Sequence, residues 1–391
     1  MRKLFVASAI LATLLILPLA GVAAAPNALA STVPTDSERA TAALDYLLAT
    51  QKTNGSIDGS IGETADFVIG AAAAGYDPAT LHGCAGTATA LDYLATASDA
   101  AAGDAAKTGK TILAVVAAGG DPASFAGRDL KARLIALYHS ATGAFGAGST
   151  FSQSFAILAF VAAGGTVPAE ASAELKALQD SDGSWSYGTT LVAAGQGDTN
   201  STAIALMALD AAGVRTADVA GLAYLHTQQL ADGGFPYQNP SKPLASDPDS
   251  DSIVLQALVA AGQDPQSAAW LQGGNSVLTH LRSIQAASGG FAFPGGAPDA
   301  FTTSQVPAAL MRAPYGAAVH WTAGRKLATT ACGNQTAAAA AAPTAKTAAG
   351  PDPSSTPSGG VPAILAYLVV ALGGVVVVVG GWLLLRRPKK R

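Results

Sequence analysis

Apolar residues run without interruption near both ends of the chain, and between the ends they recur with helical spacing. From about residue 36 to 328 the pattern is one of repeated Ala-rich helices, such as Thr202-Ala203-Ile204-Ala205-Leu206-Met207-Ala208-Leu209. Each closes on Ala-Ala-Gly or a near variant, at Gly75, Gly119, Gly164, Gly213 and Gly262, at intervals of 44, 45, 49 and 49 residues. A glycine there is the expected left-handed stop. Asp77-Pro78, Asp121-Pro122 and Asp264-Pro265 follow as breakers. A sixth copy ends near Arg312, after Val306-Pro307-Ala308-Ala309-Leu310-Met311.

The other half of each repeat is a helix that runs into a Gly-x-aromatic turn. Gln51 leads to Gly55-Ser56-Ile57, Gln179 to Gly183-Ser184-Trp185, Gln229 to Gly233-Gly234-Phe235, and Gln285 to Gly289-Gly290-Phe291. The third copy carries His139 in place of Gln before Gly143-Ala144-Phe145, and the second, around Tyr93-Leu94, lacks the turn. No strand-like alternation competes. Six helical hairpins of this length predict an all-α fold, an α6/α6 toroid. The Ala-rich helices form its inner ring, because small side chains allow crowding around an axis. The Tyr/Leu/Gln helices form its outer ring.

The ends carry different instructions. Arg2 and Lys3 precede the apolar run Leu4 to Leu17, and small residues follow, the pattern of a secretory signal. Ala28-Leu29-Ala30 places cleavage after residue 30, and Ala23-Ala24-Ala25 offers the alternative after Ala25. Val361 to Leu385 has no charged residue and is long enough to cross a bilayer. Arg386, Arg387, Lys389, Lys390 and Arg391 follow, and such a cluster stays on the cytoplasmic side. The expected plan is a signal peptide at 1–30, an extracellular toroid at 31–332, a disordered Ala/Pro/Thr/Ser linker at 333–360, a transmembrane helix at 361–385 and a basic cytoplasmic tail at 386–391. The protein is therefore expected at the cell membrane, single-pass, with its N-terminal domain outside.

Composition changes the picture in two ways. The net charge of −4 includes the positive tail, so the exported part is acidic and offers no basic face for nucleic acid. The chain has 2 cysteines, Cys84 and Cys332, both in the exported part, where oxidising surroundings permit a disulfide between the early and late ends of the domain.

The Gln-x3-Gly-x-aromatic elements at Gln179 to Trp185, Gln229 to Phe235 and Gln285 to Phe291 resemble the QW motif of the prenyltransferase and squalene-cyclase repeat superfamily, the alpha/alpha toroids. That resemblance implies the ring fold over residues 36 to 328 and leaves function open. All inner-helix N-termini share one rim. The rim is expected to collect Phe145, Trp185, Tyr187, Phe235, Tyr237, Phe291 and Phe293, with Thr64, Thr108, Ser152, Asp198, Asp249, Asp251 and Thr303 as caps.

The enzymes of that superfamily do not match residue by residue. Histidines 82, 139, 226, 280 and 320 are scattered, without zinc-ligand spacing. Asp249-Ser250-Asp251-Ser252 approaches the Asp-x-Asp-Asp acid of class II terpene cyclases but lacks its last Asp. Asp247-Pro248-Asp249-Ser250-Asp251 has the alternation of a calcium loop without its glycine and final glutamate. Cys332-Gly333-Asn334-Gln335 lacks the glutamate of an internal thioester. Asp198-Thr199-Asn200-Ser201-Thr202-Ala203 resembles the corrinoid-contacting helix of the exported transcobalamin and intrinsic-factor branch, which implies Asp198 and Thr199 as partners for ligand amides and a cobalamin-like corrinoid as ligand. The expected ligand-binding set is Asp198, Thr199, Asn200, Trp185, Tyr187, Tyr237, Asp249 and Asp251, with no catalytic or metal-ligating residue. The reading is a membrane-anchored extracellular binding protein for a small ligand or a surface partner protein. A terpene-cyclase- or prenyltransferase-like enzyme and a surface protein-interaction module are its alternatives.

Overall fold

The computed structural model describes residues 33–238 and 245–327. The expected signal peptide, linker, membrane span, basic tail and Cys332 lie outside the described residues, so the Cys84–Cys332 pairing does too. Among the described residues no helix is long and apolar enough to cross a membrane.

Two sets of helices alternate along the chain. The outer set is α1 (Asp36–Thr50), α3 (Ala90–Ala97), α5 (Leu130–Ala136), α7 (Ala169–Ala177), α9 (Asp218–Gln228) and α11 (Val277–Ile284). The inner set is α2 (Ile61–Ala73), α4 (Ala105–Ala117), α6 (Thr150–Ala162), α8 (Thr199–Ala211), α10 (Pro248–Ala260) and the broken pair α12 (Ala300–Ser304) and α13 (Val306–Leu310). Inner helices are buried nearly all round: α2 is buried from Gly62 to Ala72, and α10 from Pro248 to Leu258. A helix of that kind belongs inside. Each inner helix packs on the next, α2 on α4, α4 on α6, α6 on α8, α8 on α10 and α10 on α13, and α13 returns to α2. The contacts thus close on themselves. Each of α3, α5, α7, α9 and α11 lies on the inner helix before it, while α1 lies on α12 and α13.

Left-handed glycines end the inner helices as the pattern requires, at Gly75, Gly119, Gly164, Gly213 and Gly262. The last inner helix ends differently: Arg312 takes the left-handed conformation itself, at φ 53°. That helix is also broken between Ser304 and Val306, with Pro307 in the first turn of its second piece.

One recurrent contact couples several of the turns to the next repeat. The Gln179 amide donates to Gly183 O within its own turn (3.0 Å) and to Ala217 O of the following repeat (3.3 Å). Gln229 does the same to Gly233 O and Trp270 O, at 2.9 and 3.0 Å. Gln285 bonds Gly289 O and, across the seam, Arg39 O of α1, both at 2.9 Å. Arg282 adds a two-pronged pair with Asp36, at 2.7 and 2.8 Å. Where His139 replaces the glutamine, Gln153 of the inner helix takes over, donating to Gly143 O (3.0 Å) and Ala171 O (3.2 Å). A short antiparallel ladder, β1 (Tyr138–His139) with β2 (Ala144–Phe145), forms that turn, a strand pairing the sequence pattern does not reveal.

The turn glycines fit against the next outer helix with no room to spare. A methyl on Gly289, at φ +87°, would lie 2.3 Å from Ala42 O of α1. Gly289→Ala is expected to cost at least about 2 kcal/mol, conformational strain plus a backbone clash. Gly213→Ala, at φ +76° with nothing within 4 Å of the added methyl, is expected to cost only about 1 kcal/mol. Thermal unfolding of the two variants checks this, and equal melting temperatures would contradict it.

Candidate functional site at the inner-helix N-termini and the ring interior

The caps of the inner helices sit earlier than the sequence suggests. They are Ser60, Asp104, Ser149, Asp198, Asp247 and Asp299. Of the expected caps only Asp198 is one; Thr64, Thr108, Ser152, Asp249, Asp251 and Thr303 lie in the first turn. Several of these first-turn groups bond back to the turn before the helix. Thr64 Oγ1 accepts from Ile57 N (2.9 Å), Thr202 Oγ1 from Trp185 N (3.0 Å) and Thr303 Oγ1 from Phe291 N (2.9 Å). Gln153 Oε1 accepts from Phe145 N. Asp251 fills the same place in α10, with Oδ1 accepting from Phe235 N at 2.7 Å. Its other oxygen meets His280 Nδ1 at 2.5 Å. Burial raises the Asp251 carboxyl to about 7 against the pull of His280. Burial opposes charge on His280, but Asp251 and Asp232 outweigh it and raise the ring. The pair therefore retains a proton near neutral pH.

The turn aromatics do not line the rim as a set. Phe145, Trp185, Phe235 and Phe291 are completely buried. Trp185 donates its indole N–H to Leu175 O at 2.8 Å and packs between repeats. Tyr187 and Tyr237, in contrast, are 56% and 43% exposed. The structure does bring most of the expected site together at the start of α8. Trp185 and Asp198 form a β-bridge, and Thr199 N donates to Tyr237 O at 2.8 Å. Both Asp198 oxygens are taken by Ser201, through its N–H and its hydroxyl, each at 2.7 Å. Burial raises Asp198 to about 6, partly offset by Ser201 and by the Tyr237 hydroxyl. Asp249 lies on the neighbouring helix α10, which packs against α8. Among the described residues, buried Thr199 Oγ1, Asn200 Oδ1 and Asp249 Oδ1 have no hydrogen-bond partner.

A polar cluster in the interior escapes the sequence reading. Lys110 Nζ of α4 contacts Asp66 Oδ2 of α2 at 2.7 Å, and the Tyr315 hydroxyl donates to Asp66 Oδ1 at 2.6 Å. Lys110 lies 5.3 Å from the centre of the Phe155 ring and 5.7 Å from that of Tyr315. Glu63, also on α2, is only 4% exposed and its Oε2 has no partner. Burial pushes Glu63 up to about 7, with Lys110 pulling the other way. Burial and the neighbouring Asp247, Asp299, Asp66 and Glu63 hold Asp249 well above the carboxylate range. A recess of about 10 Å³, room for a single water, lies beside this cluster at the first turns of α2 and α4, lined by Gly62, Ala106, Lys107, Lys110 and Phe155. An aromatic series, Tyr187 to Phe151 (5.3 Å), Phe151 to Phe155 (6.1 Å) and Phe155 to Tyr315 (5.5 Å), joins the exposed rim to it. The available signal was charge in the wrong place: Glu63, Asp66 and Lys110 interrupt helices that are otherwise Ala-rich.

Tyr315 arrives from the segment after α13, which lies over the C-terminal ends of α2 and α4. Trp321 Nε1 donates to Ala117 O (2.9 Å), Gly324 N to Asp77 Oδ2 (2.7 Å), and the Arg325 guanidinium sits 4.2 Å from the centre of the Tyr76 ring. Among the described residues no group of three His, Cys, Asp or Glu side chains is placed to hold a metal ion.

Several solved structures align with the chain. The type II terpene cyclase MstE from Scytonema, in its apo form, aligns at 15% identity with a TM-score of 0.51, over 71% of this chain and 97% of that one. The ent-copalyl diphosphate synthase of Streptomyces platensis aligns at 17% identity and 0.42, over 64% and 49%. The unsaturated glucuronyl hydrolase of Bacillus sp. GL1 aligns at 12% and 0.47, over 74% and 99%. No protein-family profile and no curated protein sequence matches the chain. The likeness to MstE supports the alpha/alpha toroid fold, and at this identity it speaks for fold alone.

The interior acids give a pH signature. A carboxyl raised from 4.5 to about 7 in the folded state contributes stability that is complete below the lower value and lost as pH rises through the upper one. Glu63→Gln, a neutral isostere, should therefore leave the melting temperature nearly unchanged at acid pH and raise it at alkaline pH. Thermal melts at both ends of that window check it. A variant less stable than the parent at alkaline pH would mean that Glu63 is ionised and paired.

Proposed function

We propose that the chain is an exported, membrane-anchored binding protein, its six helical hairpins closed into an α6/α6 toroid that holds a small ligand at the N-terminal rim of the inner helices. The observation that carries the reading is the set of unpartnered buried atoms, Thr199 Oγ1, Asn200 Oδ1 and Asp249 Oδ1, on the first turns of two adjacent inner helices. A buried polar atom without a partner costs free energy that a ligand can return. Tyr187 and Tyr237 flank this place with exposed aromatic surface. The chemistry there is hydrogen bonding and stacking, and a corrinoid with its side-chain amides is the named ligand. Asp198 serves such a ligand by holding the first turn of α8 in place, since its own oxygens are occupied by Ser201. In this reading the charge-free segment 361–385 anchors the chain, and Cys84 pairs with Cys332.

Equilibrium dialysis of the full chain in detergent micelles against cobalamin and cobinamide, followed by corrinoid absorbance, tests the proposal. Saturable binding is expected to weaken about tenfold in Asn200→Ala, the worth of one well-placed hydrogen bond. Absence of binding at high micromolar corrinoid would remove that ligand. For the anchor, deletion of residues 361–391 should move the protein from the membrane fraction to the medium, and retention in the membrane would exclude the single span.

A second reading, a cyclase-type enzyme, is favoured by one feature: Asp249 is buried and kept neutral, the state a carboxylic acid needs in order to donate a proton. Incubation with squalene or a polyprenyl substrate decides between the two. Cyclised product that is lost in Asp249→Asn would overturn the binding reading.

A further inference from the structure

Lys110 and Asp66 bring a nucleophile and an electrophile together in a dry place. Their side chains are 7% and 4% exposed and meet at 2.7 Å. They belong to adjacent inner helices, α4 and α2, and lie 44 residues apart in the chain. A nitrogen at that distance from Oδ2 is about 3.5 Å from the carboxyl carbon, a separation at which reacting atoms can attack. Asp66 Oδ1 accepts from the Tyr315 hydroxyl at 2.6 Å. Burial and Asp66 hold that phenol well above its ordinary range, so it keeps its proton and stays a donor. The rings of Phe155 and Tyr315 flank the nitrogen, at 5.3 and 5.7 Å. Two separated charges are costly in such surroundings, even as a pair. Transfer of one proton from Nζ to the carboxylate leaves an amine against a carboxylic acid, and desolvation favours a neutral amine as nucleophile.

We propose that Lys110 and Asp66 condense into an intramolecular amide, a covalent cross-link between α4 and α2. The Lys110 amine attacks Asp66 Cγ. The Nζ–Cγ bond forms, the Cγ–Oδ2 bond breaks, and Oδ2 leaves as water. The amide keeps Oδ1, and the Tyr315 hydroxyl stabilises the negative charge that develops on that oxygen. One proton passes from the nitrogen to the departing oxygen, which already carries another. Glu63 is placed to carry it. It precedes Asp66 by three residues on α2 and so shares its face. It is 4% exposed, and its Oε2 has no partner among the described residues. Burial raises its carboxyl to about 7, and a neutral carboxyl gives a proton from one oxygen while it accepts one on the other. Amine and carboxylic acid become amide and water, so no oxidant or outside reagent enters the balance. The recess beside Lys110 has room for that single water.

Mass spectrometry of the full chain, purified in detergent, reduced and digested with trypsin, tests the cross-link. The expected product is residues 53–107 joined to residues 108–128, uncut after Lys110 and lighter than the two peptides together by one water. Fragmentation of that product places the bond. Lys110→Arg keeps a cation beside Asp66 but lacks the primary amine, and Asp66→Ala lacks the carboxyl. Both variants are expected to give separate peptides only. Glu63→Gln keeps its shape, loses the acid and is expected to leave a large unlinked fraction. In the Lys110→Arg background, where no bond forms, Glu63→Gln keeps the stability gain at alkaline pH derived above. A folded parent chain whose peptides are all recovered unlinked overturns the proposal, whether or not any variant folds. A joined product that persists in Asp66→Ala overturns it too, since the link would then use another acid. Linkage in Glu63→Gln equal to that of the parent overturns the part given to Glu63.

Discussion

A glutamine amide that bonds two carbonyls is the contact on which the ring depends. One carbonyl belongs to its own turn and the other to the next repeat, so Gln179, Gln229 and Gln285 each shape a turn and join two neighbours at once. The last of them, Gln285, reaches Arg39 of the first helix and so uses at the seam the bond that operates within the ring. The NH₂ donors of these amides reach both carbonyls only when the two neighbours are in register. The turn glycines enforce the same register sterically, because Gly183 and Gly289 approach the carbonyls of Ala220 and Ala42 more closely than any side chain permits.

The latch also explains why the turn aromatics are structural. Their backbone N–H groups are held by first-turn side chains of the inner helix, and their rings fill the space between repeats. Asp251 occupies a position where its counterparts are threonines, and Phe235 N is its partner as Ile57 N, Trp185 N and Phe291 N are theirs. The acidic residue most reminiscent of a catalytic acid thus has a local role, and His280 compensates its burial. Asp249, two residues earlier, has no such role, and the interior acids act on it electrostatically.

That cluster illustrates a general constraint. Inner helices are lined with alanine because the axis is crowded, and a crowded apolar axis is an expensive place for charge. Asp66, Lys110 and Tyr315 meet the cost among themselves. The phenol comes from the segment that also caps the C-terminal ends of α2 and α4, so the same stretch closes one end of the ring and completes its polar centre. For Glu63 and Asp249, burial favours the protonated, neutral form instead.

Much of this was legible from residue order. Helix existence, the glycine stops, the alternation of Ala-rich and Gln-bearing helices and the toroid class follow from periodicity and propensity, which act over a few residues. The start of α8 was legible too, with Asp198 as its cap, since Asp198 to Thr202 lie in one helical turn. What residue order left undecided depends on distance in space. Cap positions shifted by several residues because first-turn hydroxyls bond back to the preceding turn. Phe145, Trp185, Phe235 and Phe291 proved buried because the next repeat covers them. The replacement of His139 by Gln153 as a latch, and the meeting of Glu63, Asp66, Lys110, Asp249 and Tyr315, required helices far apart in the chain to share an axis. Local pattern determines each helix and its stop; only the closing of the ring decides which polar groups find partners and which are left without one.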